Sequence, residues 1–171
     1  TINHCVMHGL DKIKESGVQF IWQTGKFYID EARAAVKQAG EMPMLHVTDF
    51  IADMAAAYRA ADLVISRAGA GSISELCLLE KPVILVPSPN VAEDHQTKNA
   101  LALVNKEAAL YVKDSEAEEK LLNLAIQTVN EAETLNHLST NIAKLAFKDS
   151  ANIIANEVYK LALNYKKEHE H

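Results

Sequence analysis

Short apolar runs alternate with amphipathic stretches along most of the chain. The runs are rich in β-branched residues and predict five strands, at 18–23, 44–47, 62–65, 83–86 and 109–112. In the stretches between them, apolar residues recur at helical spacing, which predicts helices at about 1–16, 28–39, 53–60, 72–79 and 95–105. Strands that alternate with helices predict right-handed crossovers and a parallel sheet covered on both faces.

The last third of the chain has a different pattern. From residue 115 onward it is wholly helical, with predicted helices at about 116–130, 134–146 and 150–166 and a charged, frayed tail at 166–171. A length of 171 residues, without a long linker, predicts one domain over 1–171. The predicted fold class is α/β: a Rossmann-like parallel sheet flanked by helices, with a helical C-terminal segment.

Composition and charge narrow the possible functions. The chain is 49% hydrophobic and 23% charged, as expected for a globular protein, and its formal charge of -6 argues against a nucleic-acid-binding surface. No apolar run approaches the length of a membrane span, and no signal peptide opens the chain. Cys5 and Cys77 are isolated, which favours a reduced, cytoplasmic protein. The start at Thr1 without Met indicates a piece of a longer protein.

A glycine-rich stretch at 66–75 lies between the predicted strand at 62–65 and the predicted helix at 72–79. This order directs the start of a helix, with its unpaired N–H groups, out of the carboxyl edge of the sheet, where it attracts phosphate. Ser72 adds a hydroxyl there, and Glu75 lies about one turn further along. A second interpretation stays open, because Ser72 and Glu75 also match a capping box that satisfies the helix's own first amides.

A second polar cluster, at 94–99, stands at another loop-to-helix junction after a predicted strand. Two such junctions on one sheet edge are what a ligand crevice at the carboxyl ends of parallel strands needs. Gln96 and Asn99 lie three positions apart on the predicted helix and therefore point the same way. Their amides suit sugar hydroxyls and an acetamido group; the alternative is a solvated helix face.

Taken together, four stretches resemble the donor-binding half of the MurG family of GT-B glycosyltransferases; they lie at 47–54, 66–75, 80–87 and 95–100, in the family's order and spacing. The resemblance runs over essentially the whole chain. It implies the C-terminal half of an inverting transferase that moves N-acetylglucosamine from UDP-N-acetylglucosamine to lipid-linked N-acetylmuramyl-pentapeptide (lipid I to lipid II) in peptidoglycan synthesis. It also implies a peripheral position on the cytoplasmic side of the bacterial inner membrane.

The resemblance places the acceptor-binding half, with its Gly-Gly-Ser loop, before Thr1. The lipid-linked acceptor and the proposed catalytic base belong to that half, so no catalytic residue is assigned in this chain. We therefore expect the isolated chain to bind the donor weakly and to transfer nothing. No metal or other cofactor is expected, because the chain has no Asp-x-Asp and its histidines lack metal-ligand spacing.

The resemblance also implies roles for individual residues. The uracil is held around Phe50 and Ile51, with the backbone of Ile51 reading the base edge. Glu75 accepts hydrogen bonds from the ribose diol, a task that suits a carboxylate. Arg67 is either an anion contact or a structural pairing partner. The full set of implied donor contacts is Phe50, Ile51, Ala70, Gly71, Ser72, Glu75, His95, Gln96 and Asn99, with Ala70, Gly71 and Ser72 at the diphosphate.

Three other functions stay open. An NAD-type dehydrogenase is possible from the glycine-rich turn at 68–71, but the spacing does not make GxGxxG. Another UDP-sugar transferase or epimerase of the same architecture is the nearest enzymatic alternative, since the sugar's identity rests on the resemblance. A regulatory nucleotide-binding module without catalysis is the third. Protection against thermal unfolding by UDP or by NAD separates the first from the others.

Overall fold

The computed structural model describes residues 1–90 and 95–148. Helices and strands alternate there as predicted, which confirms the α/β class with parallel sheets flanked by helices. The predicted helix at 150–166 and the tail at 166–171 lie outside the described residues. In chain order the elements are α1 Ile2–His8, α2 Leu10–Ser16, β1 Phe20–Gln23, α3 Ile29–Ala39, β2 Leu45–Thr48, α4 Met54–Ala60, β3 Val64–Ser66, α5 Ala70–Leu78, β4 Val83–Leu85, α6 His95–Val104, β5 Leu110–Tyr111, α7 Ala117–Val129 and α8 Ala132–Lys148.

The strands form two parallel sheets and not the single sheet that the sequence predicts. β1 pairs with β2, and β3, β4 and β5 form the second sheet in that order. In the part of the chain that the structure describes, no backbone hydrogen-bond ladder connects the two sheets, but side chains of α1 and α7 pack against both. Cys5 and Leu121 belong to the core on the second sheet, whereas the next residues, Val6 and Leu122, belong to the core on the first.

The expectation of helices on both faces is right for the second sheet only. β4 lies at its centre, with Val83 and Leu85 in the core beside α5 and α8, and Ile84 in the core beside α1 and α7. In the first sheet, Trp22 packs in the core but its neighbour Ile21 is 50% exposed. Among the described residues, the face of β1 that carries Ile21 is therefore not covered by a helix.

The predicted helix at 1–16 is two helices, because the chain breaks at Gly9. Gly9, with φ of -109° and ψ of 16°, is the residue between the end of α1 and the start of α2. A Cβ atom at this position would overlap the side chain of Leu122 on α7, so only glycine allows the close approach. α2 ends, as predicted, at Gly17, which adopts the left-handed conformation.

Candidate functional site

The start of α5 supplies unpaired backbone donors at the carboxyl edge of the second sheet. The first bond of this helix joins the N–H of Ile73 to the carbonyl of Gly69 at 3.0 Å, and Gly69 has no side chain to cap the end. Within the described residues, the N–H groups of Ala70, Gly71 and Ser72 have no hydrogen-bond partner. Such an end binds an anion through its donors and its partial positive charge.

The capping-box interpretation of Ser72 and Glu75 is wrong. Helix α5 begins at Ala70, two residues earlier than predicted, and Gly69 is its N-cap. Ser72 is therefore the third helical residue and cannot act as the cap. Glu75 lies in the second turn, where its side chain is exposed and open to a ligand.

The start of α6 adjoins the glycine-rich loop. Gln96 is only 7% exposed, and its Oε1 accepts hydrogen bonds from the N–H groups of Ala68 at 3.2 Å and Ser88 at 2.9 Å. Asn99 donates from Nδ2 to the carbonyl of Ala68 at 3.2 Å. Both side chains point to one side, so the solvated-face alternative is wrong for Gln96. Within the described residues, no hydrogen bond is made by Nε2 of Gln96 or Oδ1 of Asn99, and His95 beside them is exposed.

Arg67 is engaged by the protein itself. Its Nη1 lies 2.6 Å from Oδ1 of Asp114 and 3.3 Å from the carbonyl oxygens of both Val86 and Pro87. Burial on its own would raise the pKa of Asp114, but hydrogen bonds from Arg67 and Thr1 outweigh it and hold that pKa below its ordinary value. The guanidinium thus ties the ends of β3 and β4 to the segment that follows β5.

The carboxyl ends of β1 and β2 present an aromatic ring and a peptide N–H. Phe50, in the loop after β2, is 61% exposed. Asp49 Oδ1 accepts from the Phe50 N–H at 2.8 Å, and Thr48 Oγ1 donates to the Phe50 carbonyl at 3.1 Å. The next N–H, of Ile51, donates to Oε1 of Gln23 at 2.9 Å. The two residues expected at the uracil therefore face the carboxyl edge.

Helix α4 follows this loop, and its Tyr58 packs against the core that includes Leu76 of α5. Burial raises the pKa of Tyr58 on α4, and the negative charge of Glu75 raises it further. Sequence reasoning missed both Tyr58 and Gln23. Residues 66–75 were selected because they follow the carboxyl end of a strand in a parallel sheet, and we call this criterion the edge rule. It applies equally to Gln23, because Gln23 is the last residue of β1. Tyr58 carried no signal beyond its place on an Ala-rich helix.

Residues 1–90 and 95–148 contain neither a group of metal-ligating side chains nor a membrane-spanning helix. There, no three His, Cys, Asp or Glu side chains come together in a group that could hold a metal ion. No helix of that part of the chain has the length and apolar character needed to cross a membrane.

Comparison with known proteins assigns the family. The sequence profile of the Glycosyltransferase family 28 C-terminal domain matches residues 1–154. The chain belongs to this family. Its membership confirms the resemblance noted from the four sequence stretches.

Relatives of this family-28 domain are similar over nearly its whole length. Two are named UDP-N-acetylglucosamine--N-acetylmuramyl-(pentapeptide) pyrophosphoryl-undecaprenol N-acetylglucosamine transferase. The one from Phocaeicola vulgatus is 79% identical over 168 residues, which is 98% of this chain and 45% of that protein. The one from Bacteroides fragilis is 70% identical over 163 residues, or 95% of this chain and 43% of that protein. The chain thus spans about half the length of the curated relatives it matches.

A solved structure supports the same family-28 assignment. The crystal structure of MurG from Acinetobacter baumannii superposes with a TM-score of 0.73 at 26% identity. The match covers 93% of this chain and 45% of that one.

Proposed function

We propose that this chain is the donor-binding half of an inverting transferase that moves N-acetylglucosamine from UDP-N-acetylglucosamine to lipid-linked N-acetylmuramyl-pentapeptide. The observation that carries the proposal is the open start of α5 beside α6, with an exposed Glu75 and three N–H groups that have no partner among the described residues. An anion-binding helix start next to a carboxylate fits a nucleoside diphosphate, in which phosphates and a ribose diol are adjacent. The names of the relatives support the choice of sugar and acceptor.

The donor lies across both groups of residues. The uracil contacts Phe50 and the backbone of Ile51, and the ribose diol donates to Glu75. The diphosphate accepts from the amides of Ala70, Gly71 and Ser72. The sugar lies at the start of α6, in reach of His95, Gln96 and Asn99. Arg67 has a positioning role, because Asp114 and two carbonyl oxygens engage its Nη1.

This half of the enzyme stabilises the leaving group. When the bond between the sugar and the diphosphate breaks, negative charge grows on the phosphate oxygen that departs. The N–H groups at the start of α5 and the dipole of this helix are already oriented toward that charge, so they stabilise it without reorganisation. The acceptor hydroxyl and its base come from the other half, and no cofactor takes part in the transfer.

The partners follow from the same division. The lipid-linked acceptor and the membrane contact the other half, on the cytoplasmic side of the bacterial inner membrane, where the complete protein is peripheral. This chain, with its net charge of -6, contacts only the donor and the other half, and no nucleic acid.

Titration calorimetry with UDP tests the proposal. The chain should bind UDP, and Glu75→Ala should weaken binding at least tenfold, because charged hydrogen bonds to the ribose contribute about 1.5–3 kcal/mol. Glu119→Ala, at an exposed carboxylate on α7, is the matched control and should bind as the parent chain does. The assignment would be refuted if Glu75→Ala bound UDP as tightly as the parent chain. It would also be refuted if NAD, but not UDP, protected the parent chain against thermal unfolding. The isolated chain should show no transfer.

A further inference from the structure

Gln23 lies at the carboxyl edge of the first sheet and makes a hydrogen bond for which the proposed donor-binding residues give no reason. It is the last residue of β1, and its side chain is exposed. Its Oε1 accepts a 2.9 Å hydrogen bond from the N–H of Ile51, which is 28 positions away in the chain. Within the described residues, no other group bonds to that N–H. The acceptor is therefore a side chain that a ligand can replace.

The neighbouring peptide groups are held differently. The N–H of Phe50 is bonded to the side chain of Asp49 in the same loop, and its carbonyl to the side chain of Thr48 at the end of β2, so neighbouring residues fix both. Backbone bonds from Thr24 to Thr48 and from Gly25 to Asp49 hold the same loop against the end of β1. The shape of the loop thus does not depend on the carboxamide of Gln23.

We propose that Gln23 is a resident competitor for the nucleobase: in the empty site its carboxamide holds the place of the uracil edge on Ile51. The inference rests on the proposed function, which puts the uracil at this N–H. A carboxamide offers a carbonyl oxygen next to an N–H, the same acceptor and donor pair as the lactam edge of uracil. On binding, the uracil carbonyl takes over the Ile51 N–H and the Gln23 side chain turns into solvent.

The exchange has a measurable consequence. Uridine nucleotides replace one hydrogen bond with another at Ile51, so part of the gain from reading the base is offset. A bond of this kind changes an equilibrium by about 2–10-fold. Removal of the competitor should therefore tighten the binding of UDP, whereas an ordinary ligand contact would weaken it when removed.

The test measures binding of UDP and of inorganic pyrophosphate to the 171-residue chain and to Gln23→Met, which keeps length but loses the strong acceptor. We expect the Kd for UDP to fall about 2–10-fold and the Kd for pyrophosphate, which lacks the base, to stay unchanged. Gln23→Ala should change UDP binding in the same direction. Gln19→Met, at an exposed glutamine before β1, is the control and should change neither Kd.

Amide hydrogen exchange at Ile51 gives a second measurement. In the parent chain this amide should be protected both with and without UDP. In Gln23→Met it should exchange faster when empty and become protected when UDP is added. An unchanged or raised Kd for UDP in both Gln23 variants, or an Ile51 amide that stays protected in them without UDP, would overturn the inference. Failure of the parent chain to bind UDP would instead overturn the proposed function.

Discussion

The two ends of the candidate site are held together in different ways. At the phosphate end, side chains that are buried or half-buried fix the backbone. Gln96 is 7% exposed and bonds to two separate loops, and Arg67, whose side chain is 34% exposed, bonds from the end of β3 to the first carbonyl after β4. At the base end, Phe50 is 61% exposed and the N–H of Ile51 is held by an exposed side chain. The phosphate end is therefore built into the fold, whereas at the base end only the Phe50 ring and the Gln23 side chain are free to adjust to a ligand, on a loop whose backbone is held.

This difference separates stability from binding. Residues that hold the phosphate end contribute to both stability and binding, because their loss leaves buried donors without an acceptor. Residues at the base end carry binding alone, because they are solvated in the empty protein. Each of the variants below tests one side of this comparison, and the expected change in free energy decreases from one to the next.

Gln96→Leu should have the largest effect. We expect the free energy of unfolding to fall by about 2–4 kcal/mol, because the N–H groups of Ala68 and Ser88 lose their acceptor and a stranded donor costs about 1–3 kcal/mol. Urea denaturation measures the change. Gln38→Leu, at an exposed position of α3, should shift stability by less than about 0.5 kcal/mol. Equal losses in the two variants would show that the phosphate end is not built as described.

Phe50→Ala should behave in the opposite way. Its ring is largely exposed, so stability should change by less than about 0.5 kcal/mol. UDP affinity should fall about tenfold, since contact between a base and an aromatic ring contributes about 1–3 kcal/mol. Leu78→Ala removes a similarly exposed side chain, at 57%, from the far end of α5 and should leave UDP binding intact. A Phe50→Ala variant that unfolds would place the ring in the core.

Asp114→Asn should make the stability less dependent on acid. Folding lowers the pKa of Asp114 below its ordinary value of 3.8. The carboxylate therefore stabilises the fold fully above pH 3.8, and this contribution is lost as the pH falls through the lower pKa of the folded state. We expect Asp114→Asn to lose about 1–2 kcal/mol at pH 7, since its partner Arg67 is partly solvated, and to lose less than the parent on acidification. Urea denaturation between pH 7 and pH 2 measures both. Asp62→Asn, at an exposed aspartate, should follow the parent.

Gly71→Ala should have the smallest effect, and in the stabilising direction. A Cβ at this helical position meets nothing within 4 Å, so the gain in helix propensity of about 0.5–1 kcal/mol should appear in full. The added methyl has open space around it, so the Kd for UDP should stay within about twofold. A Kd that rises more than tenfold would mean that the diphosphate approaches the backbone closely enough to require glycine.

The fold was largely predictable from the sequence. The alternation of β-branched runs with helical spacing predicts each of the five strands of the described residues to within about two positions. What it could not predict were the close approach of Leu122 to Gly9, more than a hundred positions away in the chain, and the division into two sheets. Both are set by long-range packing, which leaves no local pattern.

The candidate site was predictable in position more than in detail. The edge rule selected Ser72, Glu75 and Gln96, and the described structure brings the starts of α5 and α6 together. It did not predict that the oxygen of Gln96 serves the protein's own amides, nor that Gln23 holds Ile51. Such assignments need the third dimension, because an amide side chain bonds equally well to a loop, a ligand or water.

Backbone amide NMR of the labelled chain during titration with UDP is the most direct measurement of whether one crevice holds both ends of the nucleotide. We predict saturable shifts at Ile51 and at Ala70, Gly71 and Ser72 with a single Kd, and shifts at the last three alone with pyrophosphate. Shifts confined to α7 and α8, or different Kd values at Ile51 and at the start of α5, would contradict the shared crevice.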